Sequence, residues 1–447
     1  MSTVLSEPSR APSPLHGRAA LVLYLRPMSL LQIAVYSVIA LAFIGIAAGR
    51  LPRLAMNRAS IALTAALLLV LLGGISYVEA FAAIDVETLA LLLAMMLIVA
   101  NLRISGFFGL AGSRLLSMAS KPKSFLALVI LSSGFLSALF LNDTICLMLT
   151  PLVIEIARRK RLDGRPYLIA LAVSANAGSC ATPIGNPQNM LIASQSGLGF
   201  FDFIIYLGPP SLFALGLCYL TCLATFPREF LSSRAGKPAM DSPSALINPG
   251  PAPEAQDRRL MIKSLAAAAL LLVLLATGLR TSVAALAAST LLLVSRRIKP
   301  ERVFSHVDFE LLVFFSGLFV LTSAVAKTAL FSGFMHNLEP LLIKPGFAFA
   351  GAVTLVSNLV SNVPAVMLLS PLTSSFDNPG IAWLSLAMAS TFAGNLSLLG
   401  SVANLIVAGQ AEKEGMRIGF LDYLKLGLPV TLASVAAGSL WLQVLGN

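Results

Sequence analysis

The sequence predicts an all-α polytopic membrane protein of two inverted repeats, each with five transmembrane helices, a re-entrant hairpin and a broken helix. Three observations predict it. Hydrophobic residues make up 57% of the 447 and charged residues only 11%, where a soluble domain carries about 25% charge. Apolar runs of roughly 20 residues recur along the chain, each long enough to cross a hydrocarbon core about 30 Å thick. Polar blocks recur in the same order in both halves. Lipid offers the backbone no hydrogen bonds, so the apolar runs must be helices.

In chain order, a tail over residues 1–27 precedes a first repeat over 28–226. Its spans fall near 28–49, 59–77 and 87–104, then a hairpin at 124–157, a broken helix at 166–197 and a span at 201–226. A linker rich in Pro, Ser, Ala and charge occupies 227–263. The second repeat, 264–447, has spans at 264–279, 281–295 and 309–327, a hairpin at 345–376, a broken helix at 380–411 and a span at 421–445. The first apolar stretch, behind Arg10, Arg18 and Arg26, is too long for a signal peptide and reads as a helix of the mature protein.

Charge sets the orientation. Of the 31 Lys and Arg, 25 lie in alternate loops, including the linker, and 6 lie on the other side. The richer side is the cytoplasmic one, in a cell inner membrane. Lys121 and Lys123 precede the first hairpin and Arg158 to Arg161 follow it, so the segment enters and returns on one side. The second hairpin runs between Lys344 and Asp377, both on the outer side. The net charge of +11 thus reflects a lipid bilayer, not a nucleic-acid partner. Cys146, Cys180, Cys218 and Cys222 lie in apolar segments without zinc spacing, and His16, His306 and His336 form no catalytic pattern. No cofactor is implied.

The repeat is legible residue by residue. At an offset of 220, Ser137, Asn142 and Pro151 match Ser357, Asn362 and Pro371. At an offset of 215, Thr182, Gly185, Asn189 and Gln195 match Ser397, Gly400, Asn404 and Gln410. I-D-V-E at 84–87 matches V-D-F-E at 307–310, where Asp85, Glu87, Asp308 and Glu310 sit at helix starts and read as dipole partners.

The stretches 176–189 and 394–404, rich in Gly and Asn, interrupt apolar helices in mid-membrane. Pro183 and Pro187 break the ladder in the first. Unwound backbone at that depth frees amides for an anion and carbonyls for a cation such as Na⁺. The expected substrate site therefore takes Asn142, Asp143, Thr144, Thr182, Asn186 and Asn189 from the first repeat. Asn362, Ser397, Ser401 and Asn404 come from the second. Candidate Na⁺ ligands are Ser137, Asn142 and Gly185, matched by Ser357, Asn362 and Gly400. Asn142 and Asn362 can also cap the second helix of each hairpin. Asp143, whose counterpart is Val363, is an intramembrane carboxylate and a functional candidate by default. Glu155 reads as a surface partner of Arg158 and Arg159.

These motifs, F-L-N-D-T-I-C-L-M-L-T-P, T-P-I-G-N-P-Q-N, V-D-F-E-L-L-V-F-F-S-G-L-F-V-L, S-N-V-P-A-V and L-L-G-S-V-A-N-L-I-V-A, resemble the ion transporter superfamily. That group includes arsenite efflux permeases, divalent anion:sodium symporters, citrate transporters and one class of sodium/proton antiporters. The resemblance covers nearly the whole chain from about residue 30. It implies a homodimer with a fixed scaffold and a mobile transport domain that works as an elevator. The dicarboxylate branch carries Ser-Asn-Thr at each hairpin tip. Here the tips read Leu141-Asn142-Asp143 and Ser361-Asn362-Val363, so the Asn positions carry over while the first Ser and both Thr do not. The Asn-Asp and Asn-x-Pro tips look more like the arsenite permease branch, expected to be proton-coupled. G-N-P-Q-N is closer to uncharacterised anion transporters.

The functional expectation is a secondary transporter of a small inorganic or organic anion or oxyacid, arsenite-like or a small carboxylate, coupled to H⁺ or Na⁺. The alternative is a sodium/proton antiporter using Asp143. An intramembrane enzyme is excluded by the lack of H-E-x-x-H, of paired intramembrane acids and of a Ser/His pair. Two inverted broken helices also suit alternating access better than a passive channel.

Overall fold

A computed structural model describes residues 29–48, 56–118, 121–231, 257–294, 299–342 and 346–446. The predicted tail, 1–27, and the middle of the predicted linker, 232–256, lie outside these residues. The described chain is helical. The first half contains α1 (Leu30–Ala48), α2 (Arg58–Leu71), a short α3 (Tyr77–Ala82), α4 (Val86–Ile104) and α5 (Phe107–Ser117). Next come α6 (Pro122–Leu139), α7 (Asn142–Arg159), α8 (Gly164–Ser179), α9 (Pro187–Ser196) and α10 (Phe200–Thr225). After α11 (Pro227–Leu231), the second half contains α12 (Arg258–Ala276), α13 (Thr281–Leu293), a short α14 (Pro300–Phe304), α15 (Phe309–Ala326) and α16 (Ala329–Leu342). It ends with α17 (Phe347–Val360), α18 (Asn362–Leu369) running into a 3₁₀ turn (Ser370–Ser375), α19 (Pro379–Ala393), α20 (Val402–Lys413) and α21 (Phe420–Gly446). Among the described residues, seven helices are long and apolar enough to cross a membrane.

Local chemistry sets the helix boundaries. Asp85 accepts from the Thr88 amide at 3.0 Å and Asp308 from the Leu311 amide at 3.0 Å, starting α4 and α15. Pro opens α6, α9 and α19, where its missing N–H is unneeded. Interior prolines release carbonyls that other helices satisfy. Pro151 frees the Leu147 carbonyl, which accepts from Gln410 Nε2 at 3.2 Å. Pro210 frees that of Tyr206, which accepts from Trp441 Nε1 at 2.9 Å.

Two boundaries differ from the sequence reading. The linker is shorter, because Pro227–Leu231 is helical and Asp257 caps α12 through the amides of Arg259 and Leu260. Short helices α5 and α16 occupy stretches read as loops; each is amphipathic and too short to cross.

Packing sorts the helices into two groups. In one, α2 crosses α15, α1 packs on α2, and α12 and α13 pack on α4. Gly317 permits the α2–α15 crossing, since a Cβ there would stand 2.7 Å from the Ala62 carbonyl carbon. In the other, α6 lies on α8, α7 on α20, α17 on α19 and α10 on α21. The basic loops share one face: Arg158 pairs with Glu414 at 2.8 Å, and Tyr167 reaches Glu229 at 3.5 Å. Glu155 pairs with Arg159 there as expected. On the opposite face Lys327 pairs with Glu79 at 2.6 Å, and Ser282 donates to Glu87 at 2.7 Å.

Candidate functional site

Four interrupted elements converge. The α6–α7 turn, the α17–α18 turn and the breaks before α9 and α20 surround a cavity of about 190 Å³. Of the residues expected at the site, Asn142, Asp143, Asn362 and Ser401 line it. Thr144, Thr182, Asn186, Asn189, Ser397 and Asn404 do not line it. Several of these hold the breaks open instead. Asn189 Nδ2 donates to the carbonyls of Ser179, Cys180 and Thr182, the last at 3.0 Å. Asn404, its match, donates to those of Gly394 at 2.8 Å and Ser397 at 3.0 Å. Asn186 caps α9 through the Asn189 amide at 2.9 Å, and the Thr182 hydroxyl donates to the Ala138 carbonyl. Each satisfies backbone groups that unwinding would strand in an apolar interior.

The proposed capping by the hairpin asparagines is not what forms. Asn142 and Asn362 are the first residues of α7 and α18, and the preceding residues make no side-chain cap. Asn142 instead ties hairpin to break: its amide donates to the Gly185 carbonyl at 3.0 Å and its Nδ2 to Asn176 Oδ1 at 2.9 Å. Asn176 Nδ2 donates in turn to Asn395 at 3.0 Å and Asn404 at 3.1 Å, and Ser401 donates to Asn176 Oδ1 at 3.2 Å. Thr391 serves the other half. Its hydroxyl donates to Asn189 Oδ1 and accepts from Asn186 Nδ2, both at 3.3 Å. These are matched roles: Asn176 and Thr391 are 215 residues apart, as are Asn189 and Asn404, and Asn186 and Ser401. Each half-helix therefore pins the start of the other half's second half-helix.

Among the described residues, buried oxygens at both tips have no partner. At the first these are Ser137 Oγ and Asn142 Oδ1; at the second, Ser357 Oγ, Asn358 Oδ1 and Asn362 Oδ1. A buried acceptor left unpaired costs about 1–3 kcal/mol. The pairs Ser137/Asn142 and Ser357/Asn362 are the predicted Na⁺ ligands, and an oxygen-coordinated monovalent cation fits this donor set. Gly185 and Gly400 allow the close approach. A Cβ on Gly185 would lie 2.8 Å from the Ser137 carbonyl oxygen, and one on Gly400 3.1 Å from Asn358 Oδ1.

Sequence reasoning missed several lining residues. Among the described residues, Arg58, at the start of α2, is the one cationic side chain on the cavity wall. Asp308 and Glu310, at the start of α15, also line it, although Asp308 caps its helix as predicted. Gln188 and Ser361 add polar groups to the wall, and Pro187 an apolar ring. Arg58 and Asp308 are the charged neighbours of Asp143. Ser361 has φ +82° and ψ 158°, a region that residues other than Gly occupy only under strain. Ser361→Gly is expected to raise the melting temperature in detergent, by about 1 kcal/mol of relieved strain; a lower value would mean the hydroxyl's contacts outweigh it.

The family model described as Citrate transporter (CitMHS) matches residues 38–393, most of the chain. The chain belongs to the citrate transporter family. Its membership agrees with the ion transporter superfamily resemblance, and it makes the protein a membrane transporter and not an enzyme. The silicon efflux transporter LSI3 of Oryza sativa subsp. japonica is 32% identical over 87% of this chain and 92% of its own. A Dictyostelium discoideum protein bearing the transporter name arsB is 28% identical over 86% and 87%. Among solved structures, the YdaH transporter of Alcanivorax borkumensis superposes with a TM-score of 0.52 at 16% identity, covering 93% of this chain and 97% of that one. That likeness is one of fold. Citrate transporter family membership thus meets a cavity walled by three carboxylates and one guanidinium.

Proposed function

We propose that the protein is a secondary active transporter of a small oxyacid or anion across the inner (plasma) membrane, coupled to H⁺ or Na⁺. The observation that carries this reading is the convergence of both hairpin turns and both helix breaks on one small cavity. Broken helices facing each other across a repeat interface are how membrane carriers hold a solute and its coupling ion. The charge of the wall favours a neutral or singly charged cargo. Asp143, Asp308 and Glu310 would repel a tricarboxylate, whereas hydroxyls of an oxyacid can bond to carboxylates and to the amides of Asn142, Gln188 and Asn362. A relative named for silicon efflux supports an oxyacid, and the tip oxygens and Asp143 offer seats for Na⁺ and H⁺. A homodimer and an elevator motion belong to the same proposal.

The presence of Asp143 in the cavity beside Arg58 and Asp308 favours one second reading, a sodium/proton antiporter. Flux into proteoliposomes separates the two. With a Na⁺ or a pH gradient imposed separately, arsenite, silicic acid, phosphate, succinate and citrate are presented while internal pH is read. Solute uptake driven by one gradient, best for the oxyacids, is expected. Proton movement driven by Na⁺ with no solute present would replace the proposal with the antiporter.

A further inference from the structure

The two halves match in sequence but not in contacts. On the face opposite the basic loops, α9 packs on the start of α4, and Ser194 Oγ donates to Asp85 at 3.2 Å (Oδ2) and 3.3 Å (Oδ1). Asp85 is held for this by Thr88, whose amide and hydroxyl bond its two oxygens at 3.0 and 2.9 Å. On that same face α18 packs against α15. The inverted repeat predicts an equivalent contact on the basic face, between α20 and the start of α15. Among the described residues α15 has no comparable packing with α20, and the cavity lies there instead, with Asp308 on its wall.

The residues at the matched position differ in one respect that matters. Asp308 is the match of Asp85, but the match of Ser194 is Gly409. Gly409 has no hydroxyl, and a Cβ built on it meets nothing within 4 Å. Among the described residues, the broken helix α9 is therefore tied to α4 by a side-chain hydrogen bond on the face opposite the basic loops, and its match α20 has no such bond to the start of α15 on the basic face.

We infer that Ser194 and Asp85 are positioning residues that hold the transporter closed to the outside and open to the basic, cytoplasmic face, and that Gly409 leaves the reverse position without its counterpart. The inference rests on the alternating-access reading above. In the opposite state, the two repeats exchange roles: α9 leaves α4, and α20 comes to lie beside Asp308. A hydroxyl at 409 would then find the carboxylate that Ser194 finds now.

The test reads access, not flux. The native cysteines Cys146, Cys180, Cys218 and Cys222 are buried, so Val402→Cys, on the cavity wall and 40% exposed, serves as a reporter for a membrane-impermeant maleimide. Labelling is compared in inside-out and right-side-out vesicles. The reporter is expected to react mainly from the cytoplasmic side. Ser194→Ala, and separately Gly409→Ser, should each lower the inner-to-outer labelling ratio about three- to tenfold, the range for an ordinary intramolecular hydrogen bond. Ser194→Thr retains the hydroxyl and should keep the parent ratio. An unchanged ratio in both Ser194→Ala and Gly409→Ser would overturn the latch alone. Equal reactivity from both sides in the parent would overturn the inward bias and the latch with it, whereas absence of any solute or ion movement in the proteoliposome measurement would overturn the alternating-access reading itself.

Discussion

Gly178→Ala should leave little folded protein after extraction in detergent, with a loss of more than about 3 kcal/mol. The reason is a single close crossing. On Gly178 a Cβ would stand 2.5 Å from both the Cα and the carbonyl carbon of Gly134, and closer still to its oxygen. Neither is a side chain that can swing away. Helices α6 and α8 would have to separate, and they carry the first tip and the first break to the cavity. Overpacking a core costs about 1–3 kcal/mol when side chains can adjust and more when backbone must move, against a total stability of about 5–15 kcal/mol. Small residues at such crossings are how membrane helices approach closely. The control is Gly216→Ala in α10, where a new Cβ meets nothing within 4 Å. Size-exclusion profiles and thermal unfolding of both variants check the contrast. A monodisperse, stable Gly178→Ala protein would mean the crossing is looser than described. Gly185→Ala is expected to lose transport and stability together, because its Cβ would press on the Ser179 carbonyl oxygen and meet Ser179 Cα at 2.7 Å and the Ser137 carbonyl oxygen at 2.8 Å.

Much of this arrangement was legible in the sequence because interrupting a membrane helix requires particular residues. Pro187, Asn189 and Asn404 announced the breaks, and Asn142 and Asn362 announced the tips, since only groups that satisfy stranded backbone or a ligand persist at that depth. What stayed hidden was pairing across the molecule. Asn176 and Thr391 are related by the same offset of 215 as the matched residues, yet one is an amide and the other a hydroxyl. A match by identity passes over them, while their hydrogen bonds show one role played twice. Arg58 was counted as a loop charge, because a tally of Lys and Arg records which side a residue is on and not whether it reaches inward. Asp308 and Glu310 were read as dipole partners. Asp308 is one, but where α15 begins also decides which wall a residue faces, and that depends on its crossing with α2. Amphipathic α5 and α16 escaped for a related reason: a search for spans rejects helices too short to cross.

Asp143→Asn should reduce gradient-driven uptake about 100-fold while leaving the protein folded. Asparagine keeps the shape of the side chain, and none of the hydrogen bonds that hold the tip runs through the Asp143 carboxylate: the tip is fixed by Asn142 to Gly185 and Asn176. What changes is charge. Asp143 sits on the first hairpin tip, across the cavity from Arg58 at the start of α2 and near Asp308 at the start of α15. Removing the carboxylate takes away a charge that faces both the Arg58 guanidinium and the Asp308 carboxylate, and a 100-fold loss corresponds to about 2.8 kcal/mol at 1.4 kcal/mol per tenfold. The useful comparison is between net uptake and exchange. If Asp143 carries the coupling proton, the Asn variant loses uptake driven by a pH gradient but still exchanges labelled for unlabelled solute, because exchange needs no net proton movement. Loss of both would make Asp143 part of the cargo's own binding surface. Retention of both would remove Asp143 from the mechanism and leave coupling to the unpaired oxygens of Ser137, Asn142, Ser357 and Asn362, which predicts that Na⁺ alone drives the transport.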